Sequence, residues 1–166
     1  VDDIIHLSQL DEGAAPDRET VDLLETAKDA ASALGDSATE KGIHVSVSGE
    51  SVSISGVRSF LHEMIYNLCD NAIKYNVENG SVEITVVRKE QEAVVTVKDT
   101  GIGIPAEHQS RIFERFFRVD KSRSKASGGT GLGLSIVKHI AQYHGATIKL
   151  QSEFGCGTTV SVVFPL

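Results

Sequence analysis

The sequence predicts an α+β fold, a two-layer sandwich in which one mixed, mainly antiparallel sheet carries helices on one face. Three observations predict it. Several segments alternate apolar and polar residues, as half-buried strands do. Other segments repeat their apolar residues with helical spacing. The two kinds interleave along the chain, and several neighbouring strands are joined by short turns, which excludes an all-parallel sheet.

Composition bounds the size of the protein and the class of its ligands. The chain has 166 residues, 40% of them hydrophobic, which is enough for one globular domain with a short appendage. A formal net charge of −7 argues against a nucleic-acid partner. A small anionic ligand is still allowed, because it needs a positive site of local extent. The longest apolar runs are too short to span a bilayer.

The cysteines and histidines do not form a metal-binding pattern. Cys69 and Cys156 are far apart, so we expect two buried free thiols in a reducing compartment. The six histidines show no HExxH or similar grouping, which gives no support to a metal held by imidazole.

The first half of the chain begins with two short units. Residues 1–13 carry a helical apolar stripe and are predicted as the tail of a longer helix, with a linker at 14–19. A short strand at 20–24 and a single Ala-rich helix at 25–42 follow. The alternating segments "HVSVSG" and "SVSISG" then predict a hairpin that turns at Glu50 and Ser51.

The second half alternates helices with pairs of strands. The predicted elements are a long helix, two strands around the turn "KEQE", a short helix, a glycine-started helix and two final strands: 57–76, 81–88, 93–99, 107–114, 131–144, "ATIKLQS" and "TTVSVVF". Gly145 is expected to end the last helix, since glycine is common just after a helix C-terminus.

The long helix carries two distinct faces. Its core stripe is formed by apolar residues at helical spacing: Leu61, Met64, Ile65, Leu68, Ala72 and Tyr75. An adjacent face holds polar residues three or four positions apart: Glu63, Asn67, Asn71 and Lys74. Asparagine is a mediocre helix former, whereas its amide oxygen can ligate Mg²⁺ and a lysine can meet phosphate oxygens. An ordinary polar face remains the alternative.

A strand that ends at Asp99 breaks into the turn "DTGIGIP". A carboxylate at a strand end can accept a hydrogen bond from an exocyclic amine such as that of adenine. Gly101 and Gly103 would let a flat ring lie against the backbone. An ordinary Asp-Thr-Gly turn is the alternative.

Residues 128–140, "GGTGLGLSIVKHI", place four glycines directly before a predicted helix. The segment lacks the Gly-Lys-Ser/Thr of a P-loop, and it lacks the third glycine and preceding strand of a dinucleotide fingerprint. It could still bind an anion as those two motifs do, because glycines and a helix N-terminus present N–H groups to an anion. A mobile loop with a tight helix start is equally compatible with the residues.

The segment before these glycines is rich in Phe and in basic residues. It contains Phe113, Phe116 and Phe117, of which Phe116 and Phe117 are candidate anchors of a loop on the core. Arg118 and Lys121 are either solvated or partners of phosphate groups.

Taken together and in order, these motifs resemble the catalytic ATP-binding domain of sensor histidine kinases. The matching motifs are "NLCDNAIKY", "DTGIGIP", "FERFFRVD", "GGTGLGLSIVK" and the weaker "GCGTTV". The resemblance covers about residues 20–166 and implies a Bergerat-type ATP-binding fold. Residues 1–13 resemble the end of a phosphotransfer-domain helix, so we expect that helix end and linker at 1–18 and the catalytic domain at 19–166. The residues of these motifs are most similar to those of phosphate-responsive membrane sensors.

The resemblance implies a role for each matching residue. Asn71 would ligate Mg²⁺, and the residues near the phosphates would be Asn67, Lys74 and Arg118. Tyr75 would lie along the adenine and Asp99 would accept its amine, and Gly101, Gly103 and Thr158 would complete the base pocket. The phosphates would be cradled by Gly129, Gly131, Leu132 and Gly133 under a lid at 119–130. Glu63 departs from the Gln that is more frequent in the family.

The resemblance also implies an activity and its partners. The domain would bind ATP and Mg²⁺ and transfer the γ-phosphoryl group to a histidine of a separate phosphotransfer and dimerisation domain, for relay to a response regulator. The motif of that acceptor histidine is absent from this sequence, and His6 stands in the wrong context for it. This fragment is expected to be monomeric and cytoplasmic, and the full-length protein a membrane-anchored homodimer.

Other members of the same fold family supply the competing functions. Gyrase B-type ATPases place a water-activating Glu four residues before the Mg²⁺ ligand, where this sequence has Asn67, whose amide cannot accept a proton at neutral pH. The substitution disfavours hydrolysis. A non-catalytic nucleotide-binding module and an anti-sigma-factor serine kinase are further alternatives, and the Phe-rich segment with its long lid favours the histidine kinase over the latter.

Overall fold

A computed structural model describes residues 17–113 and 133–166 of the chain. The expectations for the helix at 1–13, the lid at 119–130 and the side chains Phe116, Phe117 and Lys121 lie outside these residues, as does His6.

The described residues form seven strands and four α-helices. The strands are β1 (Glu19–Asp22), β2 (His44–Gly49), β3 (Ser53–Gly56), β4 (Ser81–Lys89), β5 (Glu92–Asp99), β6 (Thr147–Glu153) and β7 (Gly157–Pro165). The helices are α1 (Leu23–Ala33), α2 (Gly35–Lys41), α3 (Arg58–Lys74) and α4 (Gly133–Tyr143). A single 3₁₀ turn, Ala106–His108, stands where a longer helix at 107–114 was expected.

Five strands make the main sheet, in the order β2-β4-β5-β7-β6. The β2–β4 pair is parallel and the other three pairs are antiparallel. Alternate residues of the central strands are buried, among them Ile84, Val95 and Val162, and α1, α3 and α4 contribute the facing apolar side chains of the same core. The predicted two-layer α+β sandwich with a mixed sheet is confirmed.

The predicted hairpin at Glu50 is wrong. β2 pairs with β4, whereas β3 pairs with β1 in a separate two-stranded sheet. Beyond the end of β2, Glu50 is still hydrogen-bonded to β4. Its N–H donates to the carbonyl of Val86 (2.8 Å), and its carboxylate accepts from the N–H of Arg88 (2.7 Å). Local alternation predicts a strand but does not identify its partner.

The predicted single helix at 25–42 is two helices. The backbone leaves helical geometry at the buried Leu34 (φ −102°, ψ 8°), and α2 begins at Gly35. The predicted strand at 20–24 is also shorter, because Asp22 caps α1: its Oδ1 accepts from the N–H groups of Leu24 (2.9 Å) and Glu25 (3.2 Å).

Apart from the helix predicted at 107–114, the described elements of the second half agree closely with the sequence. The core stripe of α3 is buried except for Tyr75, a half-buried residue just past the helix end. The β4–β5 and β6–β7 hairpins form as expected. Gly145 follows α4 with φ +69°, the left-handed geometry that glycine accepts.

One of the two thiols is not where the sequence placed it. Cys69 is fully buried in α3, and burial raises its pKa to about 12. Cys156 is exposed in the β6–β7 turn, so the expectation of two buried thiols is wrong for this residue. Turn residues need not pack against the core, and residue type alone could not reveal that. Within the described ranges, no helix has the length and apolar character needed to cross a membrane.

The buried ring of His144 joins the end of α4 to the start of α3. Its Nε2 accepts a hydrogen bond from the N–H of Val57 (3.1 Å), and its Nδ1 lies 2.8 Å from the carbonyl oxygen of Ile140. These partners require a neutral ring with the proton on Nδ1. Burial lowers the pKa of His144, the bond to Ile140 opposes that effect, and the nearby Arg18 guanidinium lowers the pKa further.

We expect the free energy of unfolding to decrease as pH falls below about 6.5, the ordinary pKa of histidine in the unfolded chain. In that range the unfolded state binds a proton that folded His144 resists. Urea unfolding at pH 7.5 and 5.5 measures the effect, and His144→Gln, whose amide can both donate and accept here, should reduce the pH dependence. The matched control is His44→Gln, on an exposed residue of β2. An unchanged pH dependence in His144→Gln would contradict this assignment.

Candidate functional site

Asp99 occupies the end of β5 in a half-buried position. Its Oδ1 accepts two backbone hydrogen bonds, from Gly101 (2.8 Å) and from Thr158 (3.1 Å), which lies opposite it on β7. Within the described residues, Oδ2 receives no hydrogen bond. Burial raises the pKa of Asp99, and the two N–H groups partly oppose that rise. The result is an immobilised carboxylate with one oxygen available to a ligand.

A hydroxyl network holds Thr158 and the loop that follows Asp99. Ser152 Oγ lies 2.8 Å from Thr158 Oγ1 and donates to the carbonyl of Gly157 (3.0 Å). It also accepts from the N–H of Ile104 (2.8 Å). The amide of Gln109 donates to the carbonyls of Ile104 (2.9 Å) and Ser152 (3.0 Å). Sequence reasoning missed Ser152 and Gln109, because no local pattern distinguishes them from ordinary polar residues.

Gly101 and Gly103 are required by contacts within the protein itself. A Cβ on Gly101 would lie 2.4 Å from the carbonyl oxygen of Tyr75, and one on Gly103 (φ +73°) would lie 2.2 Å from that of Glu153. Between them, the N–H of Ile102 donates to the carbonyl of Tyr75 (3.1 Å). The loop is therefore clamped between the end of α3 and the β6–β7 turn, a constraint that differs from the expected contact with a flat ring.

The polar face of α3 forms as expected, and its members Glu63, Asn67, Asn71 and Lys74 are all half-buried. Lys74 Nζ pairs with Asp70 Oδ2 (3.0 Å), a residue of the same helix that is not among the predicted site residues. Asn67 Nδ2 is buried and has no hydrogen-bond partner among the residues described. A buried donor without an acceptor costs about 1–3 kcal/mol. Because Nδ2 is buried, a ligand oxygen could reach it only after its neighbours shift. The half-buried Lys74 is the cation of this face that an anionic group could meet in exchange for Asp70.

The remaining predicted site residues concern the glycine-rich segment. Gly133 is the first residue of α4. The four others, Arg118, Gly129, Gly131 and Leu132, lie outside the described residues. Within residues 17–113 and 133–166, no group of three or more His, Cys, Asp or Glu side chains could hold a metal ion. A cation here would depend on amide oxygens such as that of Asn71 and on oxygens of the ligand.

The site therefore has two connected parts. Tyr75, Asp99, Gly101 and Thr158 lie around the loop at the end of β5, and the bond between Ile102 and Tyr75 joins this loop to the polar face of α3. Such an arrangement can bind a ligand that has a hydrogen-bond donor at one end and negative charge at the other.

Comparison with known proteins identifies the family. Residues 56–166 match the model of the histidine kinase-, DNA gyrase B- and HSP90-like ATPases. The histidine kinase ArlS of Staphylococcus aureus (strain USA300) is 50% identical over 95 residues, which are 57% of this chain and 21% of ArlS. The chain thus spans about a fifth of the length of such curated relatives.

Solved structures agree with this result. The mycobacterial sensor histidine kinase MprB superposes with a TM-score of 0.76 at 28% identity, covering 89% of this chain and 97% of that one. Full-length ShkA, solved in complex with AMPPNP, gives a TM-score of 0.84 at 27% identity, covering 98% of this chain and 34% of ShkA. The chain belongs to the family of histidine kinase-, DNA gyrase B- and HSP90-like ATPases, as the catalytic ATP-binding domain of a sensor histidine kinase.

Proposed function

We propose that this chain binds Mg-ATP and presents the γ-phosphoryl group to a histidine on a separate phosphotransfer domain, which passes it to a response regulator. The observation that carries the proposal is the Asp99 carboxylate, held by two backbone N–H groups on one oxygen and open on the other. The full-length protein is then a membrane-anchored homodimer with this domain in the cytoplasm. The names of the relatives ArlS, a signal transduction histidine-protein kinase, and MprB, a sensor histidine kinase, support the kinase activity of this proposal.

The adenine end of the ligand is recognised at Asp99. The exocyclic amine of adenine donates to Oδ2, since Oδ1 already serves Gly101 and Thr158. Tyr75 lies along the base, and Thr158 borders it through a hydroxyl that Ser152 orients. The bound AMPPNP of the relative ShkA supports an adenine nucleotide as the ligand.

The phosphate end faces α3. Asn71 would hold Mg²⁺ through its amide oxygen, and the ion would neutralise phosphate charge. The buried Nδ2 of Asn67, which has no partner among the described residues, would donate to a phosphate oxygen once its neighbours shift. Lys74 moves from Asp70 to the phosphates, exchanging one anionic partner for another. From the sequence alone, we assign Arg118 to the γ-phosphate and Gly129, Gly131, Leu132 and Gly133 to the phosphate cradle.

The side chain of Asn67 favours phosphoryl transfer over ATP hydrolysis. An amide cannot accept a proton from water at neutral pH, so Asn67 can orient a phosphate but cannot generate a nucleophile. Phosphoryl transfer depends on positioning and on charge stabilisation, with the nucleophile supplied by the acceptor. The chain therefore holds ATP for an acceptor histidine on another domain.

The first test is the substitution Asp99→Asn. Asn can keep the Oδ1 bonds to Gly101 and Thr158, but it presents an N–H to the adenine amine, so two donors face each other. Losing a hydrogen bond to a charged group costs roughly 1.5–3 kcal/mol, so Mg-ATP affinity should fall about tenfold or more. Calorimetry measures this affinity, and Asp36→Asn on the exposed surface of α2 is the control. Equal affinity in Asp99→Asn and wild type would remove Asp99 from the site.

The second test is transfer between separate domains. The isolated chain should bind ATP, hydrolyse it slowly and form no acid-labile phosphohistidine. Adding a phosphotransfer domain should produce phosphohistidine on that domain, slowly, because the tether and its effective concentration of about millimolar are missing. Asn71→Ala should abolish this transfer by displacing the metal.

The control for the transfer reaction is a phosphotransfer domain whose acceptor histidine is replaced by Gln, which should stay unlabelled. Phosphohistidine on the isolated chain would contradict the assignment. Rapid ATP turnover by the chain would do so too, since it would require a base that position 67 does not provide.

A further inference from the structure

Lys41, the last residue of α2, contacts the C-terminal end of α3. Its Nζ donates to the backbone carbonyls of Ile73 (3.0 Å), Lys74 and Asn76 (3.4 Å), the groups at which α3 ends. The last carbonyls of a helix lack intrahelical partners and carry partial negative charge. One ammonium group thus satisfies three acceptors at the C-terminus of α3, and it comes from outside the matched residues 56–166.

The turn that Lys41 holds is connected to the Asp99 loop through Asn76. Asn76 is 2% exposed, and its Nδ2 donates to the carbonyl of Ser81 (3.0 Å). Its Oδ1 accepts from the N–H of Val77 (2.8 Å) and from the hydroxyl of Thr100 (3.2 Å). Thr100 directly follows Asp99, and its hydroxyl oxygen also accepts from the N–H of Ser81 (2.9 Å).

A second connection runs parallel to the first. The carbonyl of Tyr75 accepts from the N–H of Ile102 (3.1 Å), one residue beyond the Gly101 amide that binds Asp99. Both connections begin in the turn bound by Lys41 and end in the loop that holds the Asp99 carboxylate. The position of this turn therefore determines how the polar face of α3 is placed relative to Asp99.

We propose that Lys41 is a positioning residue for nucleotide binding, which fixes the turn after α3 so that the adenine and phosphate parts of the site keep their separation. This inference rests on the proposed ATP-binding function. Lys41 binds backbone carbonyls of this turn and acts on the site through Tyr75 and Asn76. Asn76 belongs to the same connection.

The test compares Lys41→Met, which keeps the aliphatic chain and removes the donors, with Lys41→Arg, which keeps charge and donors. Lys28→Met, on an exposed side chain of α1, is the matched control. Affinity for a non-hydrolysable Mg-ATP analogue and for adenosine is measured by titration well below the unfolding temperature. We expect Lys41→Met to weaken both ligands about tenfold, Lys41→Arg to recover most of the loss, and Lys28→Met to match wild type.

Two outcomes separate positioning from simpler roles. A loss for the ATP analogue with unchanged adenosine affinity would mean that Lys41 acts as a distant positive charge, and the proposal would be wrong. Unchanged affinity for both ligands in Lys41→Met, with lower stability alone, would reduce Lys41 to a helix cap and would overturn it as well. If Lys41→Met does not fold, Thr100→Val breaks the same connection at an exposed side chain and should weaken both ligands several-fold.

A measurement without nucleotide distinguishes a failure of this inference from a failure of the proposed function. Amide hydrogen exchange of Ile102 should become about tenfold faster in Lys41→Met, because its acceptor turn is released, while Val95 in the centre of β5 should not change. Unchanged exchange at Ile102 would refute the positioning role. Failure of wild type to bind ATP, with exchange altered as expected, would instead refute the proposed function.

Discussion

The register between β5 and β7 is the constraint on which the site depends. It places Thr158 opposite Asp99, so that the backbone of one strand donates to the side chain at the end of the other. A shift of one residue would turn Asp99 to the other face of the sheet and remove this donor. The core secures the register, because the same pairing buries Val95 against Val86 and Val162.

Next to the β5–β7 pair, polar groups from distant positions in the sequence fix the irregular backbone segments. Ser152 holds the loop after Asp99 from one side, and the turn after α3 holds it from the other. His144 performs a similar task where α4 meets the start of α3. Each is a bond between segments far apart in sequence. The shape of these loops therefore depends on the completed fold as well as on their own residues.

The sequence was sufficient where a local pattern carried the information. The helical spacing of α3 predicts both its buried stripe and its polar face, and the alternation of β4 and β5 predicts their hairpin. It failed where the outcome depended on a distant partner. β2 alternates like a hairpin strand, yet Glu50 binds the backbone of β4. The pair of Lys74 and Asp70 is local and was missed for another reason, because helical spacing allows it without requiring it. Ser152 and Gln109 acquire their roles from contacts that form when the chain folds, so no local pattern predicts them.

The two cysteines differ in a way that is useful for spectroscopy. Cys69 lies in the core with a pKa near 12, so its thiolate is scarce and inaccessible in the native protein. Cys156 is exposed and directly precedes Gly157, where a Cβ would lie 2.2 Å from the carbonyl oxygen of Asp99. The native sequence thus provides a single accessible thiol beside the loop of Asp99. A fluorescent or spin label attached there would report on this loop without the introduction or removal of any cysteine.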